Sequence, residues 1–402
     1  MNWLVRCGAV YMLCAMLSAC GGGGAADSSG SPPTDLVATA GDGRVTLTWT
    51  MSDSVEYWLY YAPGTSITTD TAASISGSRY LENVGSPLTL SGLSNGTMYA
   101  FTISAGPNDG APSVTATPRP AGGTWTVGSA VGSTDLNAVA YGTTGGSYYF
   151  AVGAGGKIVR SADGASWTTL TSPTSANLYA IAYGGASYVA AGAGGTVLYS
   201  SDGTTWTAET SATGNAINGL ASNGSSFFVG VGAGGAIVYS NGGVSWSAAT
   251  SGTGENLLGV AYANSEYVAV GASGTILTSP NGITWTARTS NTTLDLNGIA
   301  YGTDADTSTS LFVAVGAAGA LVTSADGITW TARASLPVGS ISSVTYHSQF
   351  VLVGAGGIIY TSTTGTSWQV QSSGTTGDLN AVAHNNYSYL AVGASGSNLL
   401  AL

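Results

Sequence analysis

From Trp125 onward the apolar and polar positions repeat one short unit seven times: an apolar run, a Gly-Ala-x-Gly turn, a second apolar run and a Trp. The turns begin at Gly153, Gly192, Gly232, Gly271, Gly316, Gly354 and Gly393. Tryptophans follow 14 positions later at Trp167, Trp206, Trp246, Trp285, Trp330 and Trp368. The seventh turn has no such Trp, and Trp125 stands alone ahead of the first turn. Counted from Trp125, the Trp spacings are 42, 39, 40, 39, 45 and 38. A period near 40 built from runs too short for helices predicts four strands per unit, the pattern of propeller blades. In the first unit the predicted strands are Leu136 to Tyr141 (inner), Tyr148 to Val152, Lys157 to Ser161, and Trp167 to Leu170 (outer). The invariant turn-to-Trp distance pushes length variation into the other loops, the longest being Gly302 to Ser310. A solenoid would need distinct polar caps. Here residues 124–127 are expected instead to supply the outer strand missing after Leu402, which closes a ring and removes its edges.

Residues 33–118 carry a different rhythm. Leu36-Val37-Ala38 and Val45 to Trp49 read as strands around a Gly41-Asp42-Gly43 turn, the second alternating at period two. Tyr57 to Tyr61 is a third strand, Leu90 to Leu93 leads through Asn95-Gly96 to Met98 to Ile103, and Val114 to Pro118 ends the domain. Trp49, Tyr99 after Leu93, and Tyr57-x-Leu59-x-Tyr61 resemble the core Trp, the tyrosine corner and the third-strand pattern of fibronectin type III domains. The expected fold class is therefore all-β: a fibronectin type III β-sandwich at 33–118, then a seven-bladed β-propeller at 124–402 closed by an N-terminal strand. A Pro/Gly linker, Arg119 to Gly123, separates them. The resemblance implies a spacer or weak binding module for the sandwich.

The first residues belong to neither pattern. Cys7 to Leu17 is an apolar run too short to span a membrane. It ends in Leu17-Ser18-Ala19-Cys20, which resembles the lipobox of bacterial lipoproteins. That resemblance implies a signal peptide at 1–20, cleavage before Cys20, and acylation (palmitate among the chains) that holds the protein on the membrane. Gly21 rather than Asp after the Cys resembles the outer-membrane pattern of Gram-negative bacteria, so a lipid-anchored cell-envelope location is expected, with the bulk periplasmic or at the surface. Residues 21–32 form a Gly/Ser/Pro tether. Cys7 and Cys14 leave with the signal, so only Cys20 remains and no disulfide is available.

Composition narrows the function. The chain has 8 Lys plus Arg against 19 Asp plus Glu, a net charge of −11. No basic stripe exists to neutralise phosphates, which excludes nucleic acid as a partner. The hairpins after each Gly turn are variants of Ser-x-Asp-Gly-x-x-Trp, complete at Ser161-Asp163-Gly164-Trp167, Ser200-Asp202-Gly203-Trp206 and Ser324-Asp326-Gly327-Trp330. Degenerate copies end at Trp246, Trp285 and Trp368. In these turns Asp accepts from amides, Gly takes positive φ and Trp packs between blades. The motif resembles the Asp-box, or BNR repeat, of sialidases and WD40/YVTN-like propellers, with one residue fewer between Asp and Gly. In that family it is structural and lies opposite the catalytic face. The three-arginine carboxylate site of sialidases has no counterpart among Lys157, Arg160, Arg288 and Arg333. Asp-box-like propellers also include assembly factors of membrane complexes.

Candidate chemistry lies where the repeats differ. The residues before the inner strands are Asp135, Asn177, Ala216, Asn256, Asp295, Ser340 and Asp378. Two positions later come Asn137, Tyr179, Asn218, Leu258, Asn297, Ser342 and Asn380. The polar members of both sets define a candidate ligand-binding rim: Asp135, Asn137, Asn177, Tyr179, Asn218, Asn256, Asp295, Asn297, Asp378 and Asn380. Asp135 and Asp378 belong to adjacent blades of the closed ring. With Asp295 they are candidate carboxylates for a glycosidase pair or a cation, or they satisfy turn amides. His347 and His384 replace the Gly and Tyr of the repeat on the opposite face. Asp304-Ala305-Asp306 is a solvated loop or a surface cation site. No metal-ligand spacing, cofactor fingerprint or phosphate loop is present, so no cofactor is expected. The leading expectation is non-catalytic recognition of a glycan, an envelope polymer or a protein by a membrane-anchored scaffold. The alternative is a glycoside hydrolase-like enzyme working at the channel mouth.

Overall fold

The computed structural model describes residues 31–401 apart from 42, 53–54, 95–96, 106–109, 117–123 and 386. The lipobox with Cys20, most of the tether, the Asn95-Gly96 turn, the Arg119 to Gly123 linker and Leu402 lie outside the described residues. The fold is all-β. Its N-terminal strands are β1 (Val37–Gly41), β2 (Arg44–Thr48), β3 (Tyr57–Pro63), β4 (Arg79–Leu81), β5 (Leu88–Ser91), β6 (Tyr99–Ala105) and β7 (Val114–Ala116), with one helical turn, α1 (Thr69–Ala72), between β3 and β4. They form two sheets, ordered β1-β2-β5 and β4-β3-β6-β7. Val45, Leu47 and Leu90 from one sheet meet Tyr57, Leu59, Phe101 and Ile103 from the other in one core, as period-two alternation requires. Trp49 falls just beyond β2 but still packs into this core, 6.1 Å edge-on from Tyr57. The Tyr99 hydroxyl accepts from the Ser94 amide at 3.2 Å, fixing the approach to β6.

After the linker, β8 (Trp125–Val127) is followed by β9 (Leu136–Gly142), β10 (Tyr148–Gly153), β11 (Ile158–Ser161) and β12 (Thr168–Leu170), which form one antiparallel four-stranded sheet. Six further four-stranded sheets follow among the described residues, in a propeller-like arrangement. The seventh consists of three C-terminal strands plus β8, with Leu399 opposite Val127 and Ala401 opposite Trp125. Each inner strand lies beside the inner strand of the next sheet, and the last beside the first.

Every ring sheet is covered on both faces, so its second and third strands read as near-continuous apolar runs. The cores lie between sheets. Phe150, Val152 and Ile158 of the first sheet pack on Leu178, Tyr188, Leu198 and Trp206 of the second. Leu136, Val139 and Tyr149 pack on Ala381, Leu390 and Val392 of the seventh. The motif Trp of each sheet packs against the preceding sheet, and Trp125 fills that place between the sixth and seventh.

The hairpin motif is held by its own side chains. Ser161 Oγ accepts from the Gly164 amide at 2.8 Å, while Asp163 Oδ1 accepts from Ala165 and Ser166 at 2.8 and 2.7 Å. Gly164 sits at φ +76, a left-handed conformation that an L side chain resists. The amide bonds, led by that of Ser166, hold the Asp163 carboxyl down at about 2; at Asp326 the bond from Thr329 leads to the same result. Asp202 is lowered in the same way, with the Thr205 amide foremost. These carboxylates are structural acceptors.

Candidate functional site

One end of the ring is built by the Gly turns and the residues that precede the inner strands. Each turn is a 3-10 turn with Ala at its start, for example Ala154–Gly156 and Ala394–Gly396. The Ala amide donates to the backbone oxygen of its own sheet's pre-strand residue, as Ala154 does to Asp135 and Ala394 to Asp378. The next amide reaches across the junction. Ser395 donates to Asp135 Oδ1 at 2.8 Å, Gly155 to Asn177 Oδ1 at 2.9 Å and Gly234 to Asn256 Oδ1 at 2.8 Å. Ser273 donates to Asp295 Oδ1 at 2.9 Å, and Gly356 to Asp378 Oδ1 at 2.8 Å. Each of these side chains therefore clips its sheet to the preceding one rather than capping its own turn. Asp135 and Asp378 meet on one turn, Ala394–Gly396, the first through its side chain and the second through its carbonyl. Two junctions lack the clip because Ala216 and Ser340 stand at the pre-strand position.

The second residue of every inner strand is a β-bulge. Val152 pairs with Ala138 and Gly153 with Leu136, leaving Asn137 as the extra residue. The same register shift skips Tyr179, Asn218, Leu258, Asn297, Ser342 and Asn380. A bulge re-aims its side chain, and four asparagines use this to span a junction. Asn137 Nδ2 donates to the Leu178 carbonyl at 2.8 Å, Asn218 to Leu257 at 2.9 Å, Asn297 to Ile341 at 2.8 Å and Asn380 to Leu136 at 2.9 Å. Apolar periodicity did not reveal the bulges, because the extra residue leaves the flanking pattern intact.

All seven bulge residues line the axial cavity, about 200 Å³ in volume. The inner strands converge so closely that a Cβ on Gly219 would stand 3.2 Å from the Gly259 Cα. At that size the channel is smaller than an ordinary ligand pocket. Clips and bulges engage one side-chain polar atom of each rim Asn and one oxygen of each rim carboxylate, whereas Tyr179 and Leu258, half-buried in the cavity lining, make no junction-spanning hydrogen bond.

The cations of the ring are also engaged. Lys157 Nζ donates to the Val131 carbonyl at 2.5 Å, and Arg160 donates to Gly203 O and Thr204 Oγ1 with its guanidinium 4.7 Å over Tyr148. Arg288 and Arg333 each donate Nε to a threonine of the adjacent strand, Thr278 and Thr323, at 2.9 and 2.8 Å. The four do not converge on one point.

At the opposite end, His347 and His384 come together from neighbouring sheets. Their rings stack at 5.0 Å and 18°, and His384 also meets Tyr389 edge-on. Burial, with a smaller contribution from His347, lowers the His384 pKa. Asp304 accepts from the Asp306 and Thr307 amides, the behaviour of a turn residue. Among the described residues no group of three or more His, Cys, Asp or Glu is placed to hold a metal, and no helix is long and apolar enough to cross a membrane.

Comparison with known proteins agrees with this architecture. A family described as the DUF6242 beta propeller domain matches residues 91–209, from the end of β5 to the end of the second ring sheet. No curated protein matches the sequence. Among solved structures, YCF48 from Cyanidioschyzon merolae is similar at 19% identity and a TM-score of 0.57, covering 69% of this chain and 98% of its own. YCF48 bound to D1 peptide is similar at 17% identity and 0.56, covering 69% and 96%. The WD40 repeats of RRP9 are similar at 12% identity and 0.56, covering 70% and 98%. At these identities the likeness is one of fold, and it supports a β-propeller in the C-terminal part.

Proposed function

We propose that this chain is a non-catalytic recognition protein of the bacterial cell envelope. In this reading it is lipid-anchored through Cys20 and carried on a fibronectin type III spacer, and a seven-bladed propeller closed by β8 binds a segment of a partner protein. The observation that carries the non-catalytic reading is the use of the rim carboxylates. Asp135, Asp295 and Asp378 each accept a neighbouring turn amide at 2.8–2.9 Å, a structural duty, as do the Asn residues at the same position. A protein ligand is favoured because a propeller of the same fold, YCF48, has been solved with a bound peptide. Support for the spacer comes from the sheet orders β1-β2-β5 and β4-β3-β6-β7 and from the Tyr99 corner bond. Support for seven blades comes from the β8 pairing and the seven junction cores.

The test is a displayed random-peptide library and a glycan array, both probed with the full chain, the array also assayed for released sugar. Saturable peptide binding that weakens at least fivefold on Tyr179→Ala or Leu258→Ser, with no sugar release, is expected. Sugar release abolished by Asp135→Asn or Asp378→Asn would establish the glycosidase alternative instead. The anchor is tested separately: a Cys20→Ala chain that still sediments with membranes removes it from the proposal.

A further inference from the structure

Period-two alternation along β3 sends Tyr57, Leu59 and Tyr61 toward the sandwich core and Trp58 and Tyr60 to the outer face, where polar residues are the rule. On the edge strand β4, Tyr80 pairs with Tyr60 and joins them. The Tyr80 ring lies 6.3 Å from Trp58 at 22° and 5.9 Å from Tyr60 at 24°, so Tyr80 joins two rings, each nearly parallel to its own, into one row. Tyr60 leans on the small cluster around Ile67 and Ala72, which holds the inner end of the row. Tyr80 remains 58% exposed. Single exposed aromatics need no explanation. A row of three joined through Tyr80, braced from behind, is a built surface.

We propose that this row is a binding surface for an uncharged polysaccharide, a site separate from the propeller rim. The faces of aromatic rings carry negative potential that attracts the slightly positive C–H groups on the flat side of a sugar ring, while the indole N–H and phenol O–H groups at the ring edges meet hydroxyls. Charge and shape select among partners. Glu56 and Glu82 flank the row as exposed carboxylates, and the whole chain carries −11, which disfavours a polyanionic glycan. A cation is held best when rings enclose it from several sides; Trp58 and Tyr60 each lie within 24° of the Tyr80 plane and do not box it in. A dry protein interface depletes charged residues around its aromatic anchors, whereas Glu56 and Glu82, both exposed, stand on the same face beside this row.

The experiment is native affinity electrophoresis of the full chain through gels containing laminarin, xyloglucan, galactomannan or dextran, with polygalacturonate and polylysine as charged controls. At least one neutral polymer should retard the protein, with the retardation constant falling at least fivefold for Tyr80→Ala and for Trp58→Ala and surviving in Tyr80→Trp. Tyr80 is exposed on an edge strand, so its truncation preserves the fold, as near-UV circular dichroism will confirm. Failure of all four neutral polymers to retard the chain overturns the proposal. So does unchanged retardation in Tyr80→Ala, stronger retardation by polygalacturonate, or polylysine retardation that Tyr80→Ala lowers as much as it lowers that of the neutral polymers. Peptide capture by the propeller is measured independently, and its loss leaves this result standing.

Discussion

The clip between ring sheets can be moved from one junction to another. Asn256 Oδ1 accepts the Gly234 amide at 2.8 Å, whereas at the preceding junction Ala216 leaves the equivalent Gly194 amide to solvent. The backbone is otherwise the same at both places: the Ala233 amide bonds the Ala216 carbonyl at 2.9 Å, as Ala272 does to Asn256 at 2.8 Å. A neutral hydrogen bond nets about 0.5–1.5 kcal/mol, and an exposed one falls at the low end. Asn256→Ala should therefore cost about 0.5–1 kcal/mol. Ala216→Asn should gain about 0.5 kcal/mol after the entropy of fixing its side chain is subtracted. For a ring of this size these changes correspond to melting shifts of roughly 1–3 °C. Urea unfolding followed by tryptophan fluorescence reads both, with the midpoint moving and the slope constant. Both residues touch the turn Ala233–Gly235, Ala216 through its carbonyl and Asn256 through its side chain, so a departure of the double variant from the parent midpoint measures the coupling between neighbouring junctions. An unaltered midpoint in Asn256→Ala, or a lowered one in Ala216→Asn, would show that the rim side chains do not tie the sheets together.

Other consequences are equally direct. Ala318 holds φ +50 at a turn position where most repeats have Gly, so Ala318→Gly should stabilise by about 0.5–1 kcal/mol, read as a higher melting temperature. Trp125→Ala removes the side chain that fills the junction between the sixth and seventh sheets and should cost about 3–5 kcal/mol, with accelerated amide exchange in β8. Asp326 titrates near 2 in the fold, below its ordinary 3.8, so its contribution is complete above the ordinary value and disappears as pH falls toward 2; Asp326→Ala should reduce the drop in urea midpoint across that window, with Asp163 and Asp202 supplying the rest. His384 has a lowered pKa, so the native state favours the neutral ring and stability falls as pH drops below about 6.5. Restoring the repeat with His384→Tyr and His347→Gly should remove the change in urea midpoint between pH 7.5 and 5.5.

What could be read from the sequence was what local bonds enforce. The constant distance from Gly turn to Trp reflects a hairpin closed by side chains two or three residues from the amides they accept, as in Ser161 and Asp163. The placement of Trp125 followed from a missing outer strand, and its pairing with Ala401 agrees. By contrast, the pre-strand Asp and Asn residues bond amides 22 positions away, or 260 for Asp135, and no local pattern encodes that reach. The strand β4 escaped notice because Arg79, Tyr80 and Leu81 are all exposed and present no alternation. The stacked histidines were legible one by one as departures from the repeat, but not as a pair, since His384 ends its inner strand while His347 lies one residue past the end of its own.

Tension introduces a last point about β8. The chain leaves the sandwich at β7 and enters the ring directly at β8, which is held to its sheet by three paired residues and the Trp125 side chain. A pull between the N-terminal domain and the ring travels along the chain through that strand, beside the Arg44 contact on Tyr387 at 4.2 Å. β8 is thus placed as a mechanical fuse: its release would open the ring at one seam while the six sheets built from consecutive strands keep all their own strands.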